Sequence, residues 1–416
     1  MVSPLFPYPD ATLSDARMAP ATVEGGTMQI ASDVQGRCDE RFVGVKNAFS
    51  ANFDRFDEVG AAVSVVVDGE TVVDLWGGYM DAGRTRPWER DTIVNVWSTT
   101  KGIVATCAHR LADQGLLDID ATVANYWPEF AQNGKGKIPV RYLLSHQAGL
   151  PALREPLPPG SAFQWDVMTE ALAKEEPWWD PGTKHGYHAF TWGWLVGEVI
   201  RRITGSSVGT YFRKEIAEPL ALDFHIGLKA EHDTRTAEVV SPEPPQPGDT
   251  NFVMEMLRDP QSMSFKVLAN PPDLFVPGVV NTREWRAAEI PAANGHGSAR
   301  AVARLYGALA RGGELDGLRV LSPKAIERAT EEQAYGRDEV MGLTLRTALG
   351  FFLTSPDARL GPNPRAFGHS GAGGSLGFAD PDARIGFGYT MNRMLQEDTL
   401  TDPRWAPLID AVYSAL

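Results

Sequence analysis

Apolar and polar positions alternate with two different periods along this chain, and the two periods occupy different regions. Near the N-terminus, AAVSVVVDGETVVDLWGG at 61–78 sets two β-branched runs around Asp68-Gly69. That pair tolerates positive φ, so the pattern predicts a hairpin. Near the C-terminus, SLGFADPDARIGFGYTMN at 375–392 repeats the arrangement around Asp380-Pro381-Asp382. Between these ends the spacing becomes helical over Lys101–Gln114, Thr191–Thr204 and Ala299–Arg311, with Pro- and Gly-rich connections. A closing helix is predicted from about Pro403 to Leu416, with Trp405, Leu408, Ile409, Val412 and Tyr413 forming one apolar face. Sheet signals at both ends and helices between them predict an α+β chain whose sheet is assembled from both termini around a helical insertion.

With 416 residues, 43% of them hydrophobic, the chain can bury a large core. No apolar run approaches the ~20 residues of a membrane span, the longest tight one being the strand-sized Ala61–Val67. The first thirty residues lack a basic start followed by an apolar stretch and do not read as a secretory signal. With Pro4, Pro7, Pro9 and Pro20, residues 1–30 are expected to be a loose arm. Pro242–Pro247 reads as an extended surface loop. Cys38 and Cys107 are the only cysteines and make neither a disulfide framework nor a zinc site. Cys107 sits in an apolar helical run that predicts a buried thiol, and a reducing cytoplasm fits best. The net charge of −14 carries no basic block, so neither nucleic acid nor an anionic membrane is an expected partner. His185 and His188 lack an HExxH setting, and no metal or cofactor is expected.

Chemistry concentrates in three places. Ser98-Thr99-Thr100-Lys101 follows the strand-like IVNVW and opens a helix, so Ser98 and Lys101 share a face and the hydroxyl lies within lysine's reach. A helix N-terminus favours developing negative charge. A short motif of this kind is weak alone, because serine is also a preferred cap and lysine is usually solvated. Second, a Pro-Gly turn delivers Tyr187 just before an apolar helix, where its phenol can face a cleft and exchange a proton with Lys101, although packing is the commoner fate of a tyrosine. Third, Phe367–Gly374 is a glycine-rich strand edge along which a substrate can lie against backbone, with the Ala372 N–H a candidate oxyanion donor. Gly373-Gly374-Ser375-Leu376-Gly377 also matches the G-x-S-x-G nucleophile elbow. It leads into a strand instead of a helix, and no histidine follows His369, so we read it as coincidental.

The order of these pieces carries a resemblance. S-x-x-K after a strand, Tyr187-His188-Ala189 after Pro-Gly, and His369-Ser370-Gly371 near the C-terminus resemble the penicillin-recognising serine hydrolases, specifically the class C β-lactamase and family VIII carboxylesterase group. VRYLLSHQAGLP at 140–151, ITGSS with EIAEPLAL to Leu222, and HGSARAVARLYGALARGG at 296–313 extend it over roughly Val59 to Asn392. The resemblance implies a β-lactamase/transpeptidase-like fold, an antiparallel sheet flanked by terminal helices. It divides the chain into a sheet domain, 31–96 with 297–416, and a mostly helical domain, 97–296, with the active site in the cleft between them. It implies that Ser98 is acylated, that Lys101 and Tyr187 share base and acid duty, and that the amides of Ser98 and Ala372 form the oxyanion hole. His369, Ser370 and Gly371 then line the substrate. Two departures bear on that substrate. Ala189 stands where class C enzymes have the asparagine of Tyr-x-Asn, and His369, with an ordinary pKa of ~6.5, stands where many members have lysine. Both argue for small neutral esters, with β-lactam turnover weak. The alternatives are an acyltransferase, an amidase or D-aminopeptidase, a true β-lactamase, or a sensor that binds without turnover.

Overall fold

The computed structural model describes residues 34–242, 259–395 and 399–416, which belong to one compact unit. The arm expected at 1–30 and most of Pro242–Pro247 lie outside the described residues. Strands run, in chain order, over Gln35–Cys38 (β1), Gly60–Val67 (β2), Glu70–Gly78 (β3), Val94–Asn95 (β4), Phe224–His225 (β5), His296–Gly297 (β6), Glu314–Leu315 (β7), Leu318–Arg319 (β8), Ala334–Arg337 (β9), Thr344–Thr347 (β10), Phe352–Leu353 (β11), Phe367–Ser370 (β12), Leu376–Asp380 (β13) and Ile385–Met391 (β14). Nine of them form one antiparallel sheet ordered β1-β3-β2-β14-β13-β12-β11-β10-β9, so its two contributing segments meet where β2 pairs with β14. A three-stranded sheet, β4-β6-β5, ties the segment before Ser98 to two distant stretches of chain.

Both predicted hairpins form. Asp68 and Gly69 take φ of 53° and 92°, the doubly positive turn that matches strand twist. The second hairpin turns over four residues, and Asp380 Oδ1 holds it by accepting from the N–H groups of Asp382 and Ala383 at 2.9 and 3.1 Å. The helices that matter to the site are Val43–Arg55 (α1), Thr99–Asp113 (α2), Thr191–Thr204 (α3), Ala299–Ala310 (α4) and Trp405–Ser414 (α5). Alternation along the central strands explains the layers. Phe378, Phe387 and Tyr389 pack with Phe49 of α1 and Leu408 and Val412 of α5, while the intervening glycines of β13 and β14 lie against α4. Each fully buried aromatic or leucine there contributes about 1.5–3 kcal/mol. A second core gathers α2, α3 and their connections, with Trp192, Trp194 and Cys107 inside it.

Candidate active site

Of the apolar run before Ser98, Val94 and Asn95 form β4, Val96 N–H still donates to Gly295 O at 2.8 Å, and the chain turns at Trp97, whose φ of 45° is a region that bulky residues seldom enter. That turn ends the strand and starts α2 immediately after Ser98. The Ser98 side chain makes no capping bond. Its Oγ lies 3.0 Å from Lys101 Nζ. Lys101 has no exposed surface, and its Nζ donates to the carbonyls of Ala189 at 2.7 Å and Ala292 at 2.9 Å. No carboxylate pairs with it among the described residues, and burial holds its pKa well below the usual lysine range. The arrangement expected of a structural cap, a hydroxyl on the backbone beside a solvated amine, is not what the fold builds.

Tyr187 stands just ahead of α3, its phenol beside Ser98 and its ring 4.7 Å from Lys101 Nζ. Burial is the main cause that pushes this phenol above its ordinary value; the Ser98 side chain opposes it, and the charge of Asp338 adds to it. Asp338 also fixes the segment mechanically. Its Oδ1 accepts from the N–H groups of Tyr187, Val340 and Met341 at 3.1, 2.9 and 2.8 Å, tying the tyrosine to the β9–β10 connection.

The third segment arrives from the sheet. Phe367 and Gly368 of β12 are paired on both sides, whereas His369 and Ser370 pair with β13 alone. The strand expected to be an edge is therefore interior in its first half and an edge in its second. Beyond it Gly374 N–H donates to Gly371 O at 3.1 Å and Gly371 N–H to Ser375 O at 2.8 Å. This turn lies against the nucleophile segment: a Cβ on Gly371 would sit 3.2 Å from Ser98 N and 2.3 Å from Val96 O. Ala372 is exposed, and its N–H meets no acceptor among the described residues.

Ser375, the serine of the G-x-S-x-G match, is fully buried. It donates to Val96 O at 2.7 Å and shares a hydrogen bond with Thr99 Oγ1 at 3.0 Å, so it sutures the glycine turn to the strand and helix around Ser98. His369 is 1% exposed, with Nδ1 2.6 Å from Ser370 O and the Phe352 ring 4.4 Å from its own. An ordinary imidazole pKa was expected; burial instead pushes it down to about 3, with the Lys101 side chain adding to the effect. Neutral His369 therefore offers no cation to a substrate carboxylate across the physiological range.

Several groups here escaped sequence reasoning. The Ala189 and Ala292 carbonyls have no side-chain signature. The loop carrying Ala292 is stapled by Asn294, which donates to Trp285 O and Ala288 O at 2.8 and 2.6 Å and accepts from Ile290 N–H at 2.9 Å. His188 was set aside as a metal ligand and otherwise noted as the middle residue of its triplet. It is buried and accepts from Leu150 N–H at Nε2, 2.9 Å, while His146 Nδ1 accepts from its backbone N–H at 3.1 Å. His146 in turn lies 4.9 Å, ring to ring, from Tyr187. The run LLSHQAGLP was the available signal.

The site thus gathers a buried amine, a hydroxyl, a phenol and a glycine turn, the kinds of group that acyl transfer uses. The family model described as Beta-lactamase matches residues 49–410. The chain belongs to the Beta-lactamase family. Among its relatives, Esterase/beta-lactamase LipL of Mycobacterium tuberculosis strain H37Rv is 39% identical over 380 residues, 89% of this chain and 85% of that protein. A solved family VIII carboxylesterase is 44% identical with a TM-score of 0.83, covering 92% of this chain and 100% of the other. A solved penicillin-binding protein homologue from Caulobacter crescentus has the same TM-score at 40% identity, again over 92% and 100%. The Beta-lactamase fold expected from the motif order is thus the fold observed.

Proposed function

We propose that this Beta-lactamase family member hydrolyses small carboxylic esters through an acyl-enzyme on Ser98. The observation that carries the reading is the setting of Lys101. Two of its N–H bonds are spent on the Ala189 and Ala292 carbonyls, and burial favours the neutral amine. Its remaining position, a lone pair in that form, points at Ser98 Oγ. Lys101 is then the base: it takes the Ser98 proton as Oγ bonds to the ester carbon and the carbonyl electrons move onto oxygen. The N–H groups of Ser98 and Ala372 receive that oxyanion. As the tetrahedral species collapses, the C–O bond to the alcohol breaks and Tyr187, a neutral phenol, passes the proton from Lys101 to the leaving oxygen. Water reverses the sequence and frees the acid. In this reading the cleft lies between the helical segment 97–296, which supplies Ser98, Lys101 and Tyr187, and the sheet segments 31–96 and 297–416, which supply Ala372 and His369.

Esters are preferred to β-lactams for two reasons. Ala189 presents no side-chain amide, its carbonyl being used by Lys101. His369 is buried and neutral where an anionic substrate would need a cation. The printed descriptions of LipL and of the family VIII carboxylesterase point the same way. Two free thiols, with Cys107 buried and its pKa raised by burial, suit a reducing cytoplasm. Among the described residues no helix is long and apolar enough to cross a membrane. The test is turnover of p-nitrophenyl esters against a chromogenic cephalosporin. The ester should be cleaved faster; equal or reversed rates overturn the preference.

A further inference from the structure

Outside the proposed proton-transfer machinery, one buried charge is wired to the glycine turn. Arg404, at the entrance to α5, is 0% exposed, and all five of its guanidinium N–H bonds are used. Nε and Nη2 meet Asp402 at 2.9 and 2.7 Å, and Nη1 meets Glu58 at 2.7 Å and Arg393 O at 3.0 Å. The fifth donates to the carbonyl of Gly373, which also accepts from Leu395 N–H at 3.2 Å. The neighbouring Trp405 donates from its indole to Gly374 O at 2.7 Å. A Cβ on Gly374 would lie 1.9 Å from Arg404 Nη2, so the guanidinium rests directly on the turn.

Peptide planarity converts this contact into a statement about Ala372. Gly371–Gly374 is a type II turn, with Gly373 at φ 75° in its third position and the Gly374 N–H donating to Gly371 O. In a trans peptide the C=O and N–H point in opposite directions. Arg404 draws the Gly373 carbonyl outward, which sends the Gly374 N–H of the same plane inward onto Gly371 O. The Gly371 carbonyl is thereby aimed into the turn, and the Ala372 N–H of its plane is aimed out of it. We propose that Arg404, seconded by Trp405, is a positioning residue that sets the direction of the Ala372 N–H through two successive peptide planes. This rests on the reading of Ala372 as an oxyanion donor.

The test is a double-mutant cycle built on Ala372→Pro, because proline is favoured at that position of a type II turn and replaces the N–H with a ring carbon that cannot donate. Ala372→Pro should lower kcat about 10²-fold, the usual loss for one oxyanion donor. Arg404→Lys keeps the charge but cannot reach all five acceptors. It should lower kcat about tenfold in the parent, the larger part of such a donor's worth staying intact, and less than twofold in the Ala372→Pro background. KM and the pH profile should stay put in both. Trp405→Phe, which leaves the ion cluster whole, should show the same pattern at smaller size and decides the matter if Arg404→Lys does not fold. Unchanged activity in Ala372→Pro would remove the oxyanion assignment and the positioning role with it. A full loss in Ala372→Pro, together with equal Arg404 and Trp405 effects in both backgrounds, would overturn the positioning role alone.

Discussion

Replacing Lys101 by methionine removes the amine while keeping a side chain of similar length in the buried space that Lys101 fills. Three contacts go: Ser98 Oγ at 3.0 Å and the Ala189 and Ala292 carbonyls at 2.7 and 2.9 Å. Each carbonyl left without a donor costs about 1–3 kcal/mol. The variant no longer buries an ionisable amine, which offsets part of that, so the net loss of stability should be a few kcal/mol at most. A protein of this size should stay folded, which circular dichroism and a denaturation curve check. The kinetic effect is larger. A positioned general base contributes about 10²–10⁴-fold, or about 2.7–5.4 kcal/mol of barrier. Stopped-flow release of p-nitrophenolate should therefore show acylation slowed by at least about 10². The pH profile gives the sign. Neutral Lys101 is the active form, so kcat/KM of the parent falls as pH drops through the depressed Lys101 pKa, and this acid limb should be absent from Lys101→Met. Between that pKa and the ordinary lysine value the unfolded chain holds the extra proton, so the parent's stability rises with pH there and the variant's does not. A near-parental acylation rate, or an acid limb that survives the substitution, would refute the assignment of Lys101 as base.

Tyr187→Phe should lower kcat by about 10²-fold with little change in thermal stability, since the ring packing is kept and only the hydroxyl beside Ser98 is lost; near-normal turnover would show that the leaving group gets its proton elsewhere. Ser375→Ala should cost about 1–3 kcal/mol by leaving Thr99 and Val96 O without their partner, while fluorophosphonate labelling persists; loss of labelling in a folded variant would count against Ser98. Among the histidines that burial depresses are His109, to about 4, and His188, His296 and His369, to about 3. Unfolded histidines bind protons below ~6.5, so stability should fall as pH drops from there toward 4, by about 1.4 kcal/mol per pH unit for each group. Urea midpoints that stay flat between pH 7 and 5 would contradict this.

Much of the fold was legible because its signals are local. Asp68-Gly69 names its own turn, and the 3.6-residue spacing over Thr191–Thr204 sets that helix to the residue. Ser98 and Lys101 were legible for the same reason, three residues on one helical face. What supports them was not. The carbonyls that orient Lys101 belong to two alanines about 90 and 190 residues away along the chain, and a backbone acceptor leaves no mark in a sequence. Ser375 matched a nucleophile pattern, yet its burial and its bonds are set by strands that meet only in three dimensions. His369 was recognisable by its place, but the depth that keeps it neutral comes from Phe352 and the sheet around it. Asp338 carried no motif at all, because three amides from two segments define its role.

Rapid quenching of the protein during turnover of a slowly released ester, followed by intact mass and peptide mapping, locates the bond on which the whole reading depends. The reading predicts one acyl group per chain, on the peptide containing Ser98, formed and lost at rates that account for kcat. An acyl group on Ser375, or turnover with no adduct on Ser98 at any time, would contradict it.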